Sequence, residues 1–411
     1  AHRTYSSPAL ERRLAELARR RWHDLELRTL LLNCLPNTLD TTVWKSPEPG
    51  DEQPDAFIAT GDIPAMWLAD STNQLTPYLR LAAEEPDEGL GLLIRGVIGR
   101  HVENILLDPF AQSFTLSRGF FDAVWCDLSA WRHDRTTQLD EAGKPMKAMK
   151  RGVYQRKFEL NALLSPLRLG RLYFERTADT RPFIGGPGGG RWLEAVRRIY
   201  RTLRTMQQPL TPWNISRAPY TFQTETVEPK DTQAHGVGRA HRWTGMIRTA
   251  FLPSDDAARM VYHVPGNAMA VVELRGTARL LRSLGGAEDS AAALAEDLEA
   301  LAGEVDGGLR RFGVVRHGSS GEEVFAMEVD GYGNFFFGDD ANVPSLLSMP
   351  YFGYVGREDP TYLATRRLLL SNQTNPYFYG PSSVGLEGIG SEDASGKAGL
   401  GFIWPISLAM R

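Results

Sequence analysis

Carboxylates set among aromatic and amide side chains recur four times in this sequence of 411 residues. The first group is Thr60-Gly61-Asp62-Ile63-Pro64-Ala65-Met66-Trp67-Leu68, continuing as Ala69-Asp70-Ser71-Thr72-Asn73-Gln74. The second is Phe251-Leu252-Pro253-Ser254-Asp255-Asp256. The third runs from Asp330-Gly331-Tyr332-Gly333-Asn334 to Asp339-Asp340-Ala341-Asn342-Val343-Pro344, and the fourth from Asn375-Pro376-Tyr377-Phe378-Tyr379 to Gly385-Leu386-Glu387-Gly388. The mixture suits a sugar, whose hydroxyls are bound by Asp, Asn and Gln and whose apolar ring faces are covered by Trp and Tyr. Breaking a glycosidic bond takes two carboxyl groups, one of them held protonated for the leaving oxygen. When the reaction inverts the anomeric centre, the other activates a water across a gap of about 6.5–9.5 Å. Adjacent Asp255 and Asp256 suit divided roles, because charge on one raises the pKa of the other.

Each group has a plainer reading beside the chemical one. Ser254-Asp255-Asp256 after a proline is also a helix N-cap with acidic residues at the positive end of the dipole. Asp62 and Asp70 could be turn and cap residues, and Glu387 between glycines an exposed loop charge. Asp339 and Asp340 before Asn342 lack the ligand ladder of a calcium loop. No zinc motif and no Gly-x-Ser-x-Gly elbow occurs. His101 and His263 fall in helix-like patterns and read as core histidines. The Gly185–Gly190 run lacks the residues of a phosphate or dinucleotide loop and reads as a flexible connection between helices.

The elements that would position these groups are mostly helical. Ser7-Pro8 caps a helix carrying Leu10, Leu14 and Leu17. Further stripes are Leu90, Ile94, Val97 and Ile105; Trp192, Val196, Ile199, Leu203 and Met206; Leu274, Ala278 and Leu281 before Gly285-Gly286; and Leu294, Leu298, Leu301 and Val305. Residues 361–370 read as helix, and 57–59 and 324–329 as short extended pieces. Long aromatic and Gly/Pro-rich loops separate the helices, and no fixed-period repeat is present. Helix alternating with elaborate loop predicts an all-α barrel of helical hairpins with a cleft built from loops, rather than a regular solenoid.

Composition narrows the class. Apolar residues are 42% and charged residues 23%, which fits a globular fold and excludes disordered, collagenous and disulfide-scaffold classes. A net charge of −4 gives no basic excess for nucleic acid. No apolar run reaches the length of a membrane span. Cys34 and Cys126 could bridge or remain free thiols. The N-terminus has no signal-peptide core, while two sequons, at Asn214 and Asn372, permit a secretory history. The compartment stays open between secretory and cytoplasmic.

Taken together and in order, the motifs resemble glycoside hydrolase family 125, the exo-acting α-1,6-mannosidases, over about Thr38 to Met410. Thr60–Leu68, Pro253–Asp256, Asp339–Leu347 and Asn375–Tyr379 carry the resemblance, and Asp108-Pro109-Phe110-Ala111 is similar to the family's Asp-Pro-Tyr-Ala. The resemblance implies one (α/α)6-barrel domain over residues 1–411 and release of terminal α-1,6-linked mannose with inversion. It implies no metal and no cofactor. The general acid falls on Asp255 or Asp256, a choice left open here. Sugar binding falls on Asp62, Met66, Trp67, Asp70, Asp340 and Asn342.

The chain also departs from the family pattern. Ala69 and Leu252 stand where arginines are usual, and a methyl group cannot replace a guanidinium fork. Gln155 and Asn161 replace acids in Tyr154–Ala162, and Gly390-Ser391-Glu392-Asp393-Ala394 lacks the usual histidine. The family's general base is a glutamate in a His-Glu-Ser-Phe segment downstream of an Ile-Trp-Pro-Ile helix. The sequence given ends inside that helix, after Ile403-Trp404-Pro405-Ile406, so no residue matches the base. Weak hydrolysis, and poor solubility or dimerisation, are the corresponding expectations for residues 1–411. A mannan-binding protein without hydrolytic activity is the alternative from the binding class, and a barrel glucosidase a further rival.

Overall fold

The computed structural model describes residues 4–61, 63–85, 89–117, 138–139, 145–146, 150–184, 186–211, 214–215, 218–222, 228–285, 289–318, 320–340, 342–380, 385–390 and 403–410. Asp62, Cys126 and the 391–394 stretch lie outside them. Helix α1 (Pro8–Arg19) begins as the Ser7-Pro8 pair predicts, with Ser7 Oγ accepting from Leu10 N at 3.2 Å. It packs on α2 (Leu25–Thr41), which Asp24 caps through Leu27 N and which carries the exposed, free Cys34. Then follow α3 (Leu68–Leu75), α4 (Leu79–Ala82), α5 (Gly89–Leu107), α6 (Leu160–Thr177), α7 (Gly186–Gln207), α8 (Val264–Ser283), α9 (Asp289–Gly308), α10 (Met349–Phe352), α11 (Pro360–Leu369) and α12 (Pro405–Met410).

Two kinds of helix alternate. Helices α6 and α8 are buried nearly all round, as helices inside a barrel must be. Helices α7 and α9 bury one stripe: Trp192, Val196, Ile199, Leu203 and Met206 on the first, Leu294, Leu298, Leu301 and Val305 on the second. Helix α8 packs on α6, α9 and α10, and α6 packs on α3, α4, α5 and α7. The result is the (α/α)6 barrel that the helix-and-loop pattern predicts. The apolar stripes of the sequence join one continuous core that runs from Ala9 to Ile389.

Two buried polar clusters tie the core elements together. Glu273 on α8 accepts from Arg168 Nη1 at 3.0 Å and from Arg171 Nε at 2.7 Å, both on α6. Asn267 of α8 accepts from Ile247 N at 2.7 Å and donates to Ile247 O at 3.0 Å, which ties the segment leading to Phe251 onto the barrel. Helix α8 starts at His263, whose Nδ1 accepts from Gly266 N at 3.2 Å. It stops before Gly285, where φ is +69°.

One reading of the sequence is corrected. Residues 186–190 of the glycine run are not a flexible connection, because α7 begins at Gly186 and they form its first turn. A Cβ at Gly189 would lie 2.7 Å from the Ile184 backbone, so the chain turns here too tightly for any side chain.

Short antiparallel strands lie between the helices in sequence. Strands β1 (Val43–Lys45) and β2 (Phe57–Ile58) pair with each other. Strands β3 (Met66–Trp67), β4 (Ser113–Phe114) and β7 (Val153–Gln155) form a sheet in the order β3-β4-β7, while β5 (Gln138–Leu139) pairs with β6 (Pro145–Met146). Strand β8 (Tyr262–His263) pairs with β11 (Glu328–Val329), which pairs with β12 (Phe335–Phe336). Strands β9 (Val314–Arg316) and β10 (Glu323–Phe325), and β13 (Phe378–Tyr379) and β14 (Gly388–Ile389), form hairpin pairs.

Candidate active site

The segment after Phe251 decides between cap and catalytic group. No helix follows Asp255 and Asp256; the next one opens at Val264. The chain instead makes a tight turn, closed by Asp255 N donating to Leu252 O at 2.9 Å and Leu252 N donating to Asp256 O at 2.8 Å. Asp255 sits in this turn with φ +69°, a left-handed backbone that costs a non-glycine residue free energy and that clusters at functional sites. Its side chain is 43% exposed.

Three elements converge on that carboxylate. From the β3-β4-β7 sheet, Gln112 Nε2 donates to Asp255 Oδ1 at 3.3 Å and also to Gln155 Oε1. From the approach to α6, Lys157 Nζ lies 3.7 Å from Asp255 Oδ1 and donates to the Asp255 carbonyl at 3.0 Å. Glu159 ends this approach, bridged through its backbone to Phe251, with its carboxyl buried and within the electrostatic reach of Asp255. Asn161 Nδ2 donates to Glu159 Oε2 at 3.2 Å.

Asp70, in the first turn of α3, completes a group of three carboxyls. Burial, together with the charge of Asp255, pushes Asp70 up to about 6. Burial holds Glu159 well above the carboxylate range, reinforced by Asp255 and Asp70. The first turn of α3 is pinned by Ser71 Oγ, 2.9 Å from His101 Nε2. His101 is a core histidine, as expected, with burial lowering it to about 3. Trp67 lies edge-on to Tyr154 at a centroid distance of 5.5 Å.

On the other side of the turn, Asp256 lines a cavity of about 400 Å³ together with Asp339, Asp340, Lys230, Arg259 and Tyr377. This volume is in the range of small-ligand sites. Lys230 Nζ is 3.7 Å from Asp256 Oδ1, and the Arg259 guanidinium lies 4.2 Å over the Phe336 ring. Asp340 Oδ1 accepts from the backbone and side-chain nitrogens of Asn342 at 2.9 and 3.0 Å. Second, third and fourth motifs thus meet at one cavity. Among the described residues, no set of His, Cys, Asp and Glu is grouped to hold a metal ion.

Asp339 of this wall and Glu328, which touches the chain at Arg259, are buried acids. Asp339 accepts from Leu346 N and Leu347 N, and Glu328 Oε1 accepts from Arg259 N and Met260 N. Burial pushes each up to about 8. The folded chain therefore holds protons that the unfolded chain has already released, so their stabilising contribution is full at acid pH and is lost as pH rises through about 8. Glu328→Gln removes this loss: it should melt above the parent protein at about pH 9, with the gap closing toward about pH 5. Thermal denaturation at both pH values checks this, and a gap independent of pH would contradict it.

The residues singled out by sequence divide accordingly. Asp255 and Asp70 lie within each other's electrostatic reach, Trp67 packs on Tyr154, and Asp256 and Asp340 line the adjoining cavity. Met66 is fully buried in the core, and the Asn342 amide is spent on Asp340. Glu387 is half-buried next to β14. Glu159, Gln112, Lys230 and Arg259 were not foreseen. Glu159 lies in the Tyr154–Ala162 stretch that the resemblance had already marked, but only its tertiary proximity to Asp255 makes it part of the site.

An acidic turn beside a sugar-sized cavity on an (α/α)6 barrel fits a glycoside hydrolase. The family model for metal-independent alpha-mannosidase (GH125) matches residues 24–411. A curated relative, the meiotically up-regulated gene 157 protein of Schizosaccharomyces pombe, is 36% identical over 419 residues, covering 100% of this chain and 75% of that protein. A solved structure from Streptococcus pneumoniae superposes with a TM-score of 0.81 at 33% identity, covering 99% of this chain and 85% of that one. It is described as a metal-independent alpha-mannosidase in a non-productive complex with alpha-1,6-mannobiose. The chain belongs to the GH125 family of metal-independent alpha-mannosidases and is a glycosidase. Among the described residues, no helix is long and apolar enough to cross a membrane.

Proposed function

We propose that the chain acts as an exo-α-1,6-mannosidase that inverts the anomeric centre, with Asp255 as general acid. The observation that carries the reading is the Asp255 turn: a left-handed backbone presents a half-exposed carboxyl beside buried Glu159 and half-buried Asp70. Of the three, Asp255 is the carboxyl open enough to reach a leaving oxygen, which general-acid chemistry requires. Asp256, on the same turn, faces Lys230 and lines the cavity, which suits a sugar hydroxyl better than proton transfer. Trp67, Asp70 and Asp340 are assigned to sugar binding. Met66 supports Trp67 from the core, Asn342 orients Asp340, and Asp62 keeps the binding role that its motif implies.

In this mechanism the C1–O bond breaks with its electron pair passing to the leaving oxygen, which takes the Asp255 proton. Water bonds to C1 from the opposite face and gives its proton to a general base on that face. The α-1,6 preference is supported by the mannobiose described with the Streptococcus pneumoniae enzyme. A panel of α-1,2-, α-1,3- and α-1,6-linked mannobioses tests it in the full chain. The expected result is a kcat/KM for the α-1,6 isomer at least about tenfold above the others, a difference of about 1.4 kcal/mol in transition-state binding. Equal rates across the panel would overturn the linkage assignment.

A further inference from the structure

We propose that Arg259 is a specificity-determining residue: its guanidinium, seated on the Phe336 ring, hydrogen-bonds hydroxyls of the mannosyl unit held in the cavity. The inference rests on the reading of that cavity as the sugar site. Arg259 and Phe336 both line it, and the guanidinium carbon lies 4.2 Å from the Phe336 ring centroid. An aromatic face holds a guanidinium well, because this cation is weakly hydrated and is attracted by the ring quadrupole. The other end of the residue is anchored too: Arg259 N donates at 3.0 Å to Oε1 of Glu328, which is fully buried.

The charges around Arg259 say what kind of ligand the cavity takes. Asp339 is pushed up to about 8 by burial, so at neutral pH it is an uncharged acid. Among the described lining residues this leaves Glu228, Asp256 and Asp340 against Lys230, Arg239 and Arg259. A wall with both signs in balance does not draw in an anion or a cation and suits a neutral polyol. Tyr377, from the fourth motif, lies within the electrostatic reach of both Arg259 and Asp256, which places the guanidinium among the acids assigned to sugar binding.

Hydrogen-bond chemistry then requires a donor. Each sugar hydroxyl both donates and accepts, whereas ionised Asp256 and Asp340 can only accept. They satisfy the hydroxyl protons and leave the hydroxyl oxygens unserved. Arg259 brings N–H donors in a rigid planar fork, placed by the ring beneath it. Lys230 is a point charge 3.7 Å from Asp256 Oδ1 and lacks that fork. A site built to hydrogen-bond a substrate hydroxyl rejects an analogue without it, because the buried polar group is then left unmatched. Arg259 thus selects for a complete mannosyl ring.

The test is a cycle between the residue and the sugar hydroxyls. Sulfur-linked α-1,6-mannobiose, which resists hydrolysis, and its analogues deoxygenated at position 2, 3, 4 or 6 of the non-reducing ring are titrated by calorimetry into the full chain, Arg259→Met and Arg259→Lys. Hydrolysis of ordinary α-1,6-mannobiose is followed in parallel. Methionine keeps an unbranched stem against Phe336 and removes every donor. In the parent at least one deoxy analogue should bind about tenfold more weakly than the complete sugar, and in Arg259→Met that penalty should shrink to within about twofold. The complete sugar should itself bind Arg259→Met about tenfold more weakly, with KM on mannobiose rising by a similar factor. Lysine keeps the charge without the fork and should restore only part of the discrimination. One common factor lost across all five sugars would mean that Arg259 serves the fold and touches no hydroxyl, which overturns the proposal. So would a Lys variant equal to the parent, since charge alone would then suffice. The underlying reading fails separately. A parent that binds the sugars without hydrolysing mannobiose refutes the mannosidase and leaves the cycle to decide on Arg259, whereas a parent that binds none of them refutes the cavity as the sugar site and the proposal with it.

Discussion

Asp255→Asn should lower kcat on α-1,6-mannobiose by about a thousandfold while leaving KM within about threefold, because general-acid catalysis contributes about 10²–10⁴ and acts only on the transition state. The substitution removes the transferable proton but keeps the shape, and the turn that holds residue 255 tolerates it. Asn is, with Asp, among the few residues that populate the left-handed backbone seen there at φ +69°. Gln112 can still donate to the amide oxygen of residue 255. Asp256→Asn serves as the contrast. Asp256 lines the cavity and faces Lys230 at 3.7 Å, so its change should act chiefly on KM. Steady-state kinetics of the two variants checks the division. A thousandfold loss of kcat in Asp256→Asn with a mild effect in Asp255→Asn would exchange the two roles.

The largest loss of stability is expected at the centre of the barrel. Glu273 is fully buried and accepts from Arg168 Nη1 at 3.0 Å and from Arg171 Nε and Nη2 at 2.7 and 3.0 Å. Arg171 keeps a second partner, Glu175 at 2.8 Å, and Arg168 lies 5.6 Å from the Tyr351 ring centroid. Glu273→Ala leaves two buried guanidinium groups short of their shared acceptor between α6 and α8. Removing one member of a buried ion pair costs about 3–5 kcal/mol, since the remaining charge stays desolvated without compensation. Chemical denaturation with the linear extrapolation measures the loss. A change below about 1 kcal/mol is the behaviour of a solvated surface pair and would contradict this burial. Replacing all three residues by apolar ones of similar volume should recover most of the stability, because the desolvation cost goes with the charges.

Legibility in the sequence followed the physics of each element. Amphipathic helices declared themselves by their stripes, and Ser7-Pro8 marked the start of α1 because an N-cap is a local interaction. Helix α6 did not stand out, since its burial on nearly every side erases the stripe and Pro166 lies inside it. Two-residue strands such as β3 and β4 carry too little alternation to be read. At the site, composition revealed the four acidic motifs but not their partition. Pro-Ser-Asp-Asp serves a helix cap and a catalytic turn equally well, and only the left-handed Asp255, with no helix following, separates them. Met66 and Trp67 are neighbours in one motif, yet successive strand residues point to opposite faces, and Met66 went to the core. The proximity of Glu159 to Asp255 joins two distant segments through the Glu159–Phe251 bridge, which no local pattern encodes.

Stereochemistry of the product tests the central claim most directly. Hydrolysis of α-1,6-mannobiose by the full chain, followed by proton NMR from the first minutes, reports which anomer of mannose is released before mutarotation. Inversion with Asp255 as acid predicts that β-mannose forms first and then relaxes to the equilibrium mixture. Initial release of α-mannose would mean retention through a covalent intermediate, and the single-displacement mechanism built on Asp255 would be wrong.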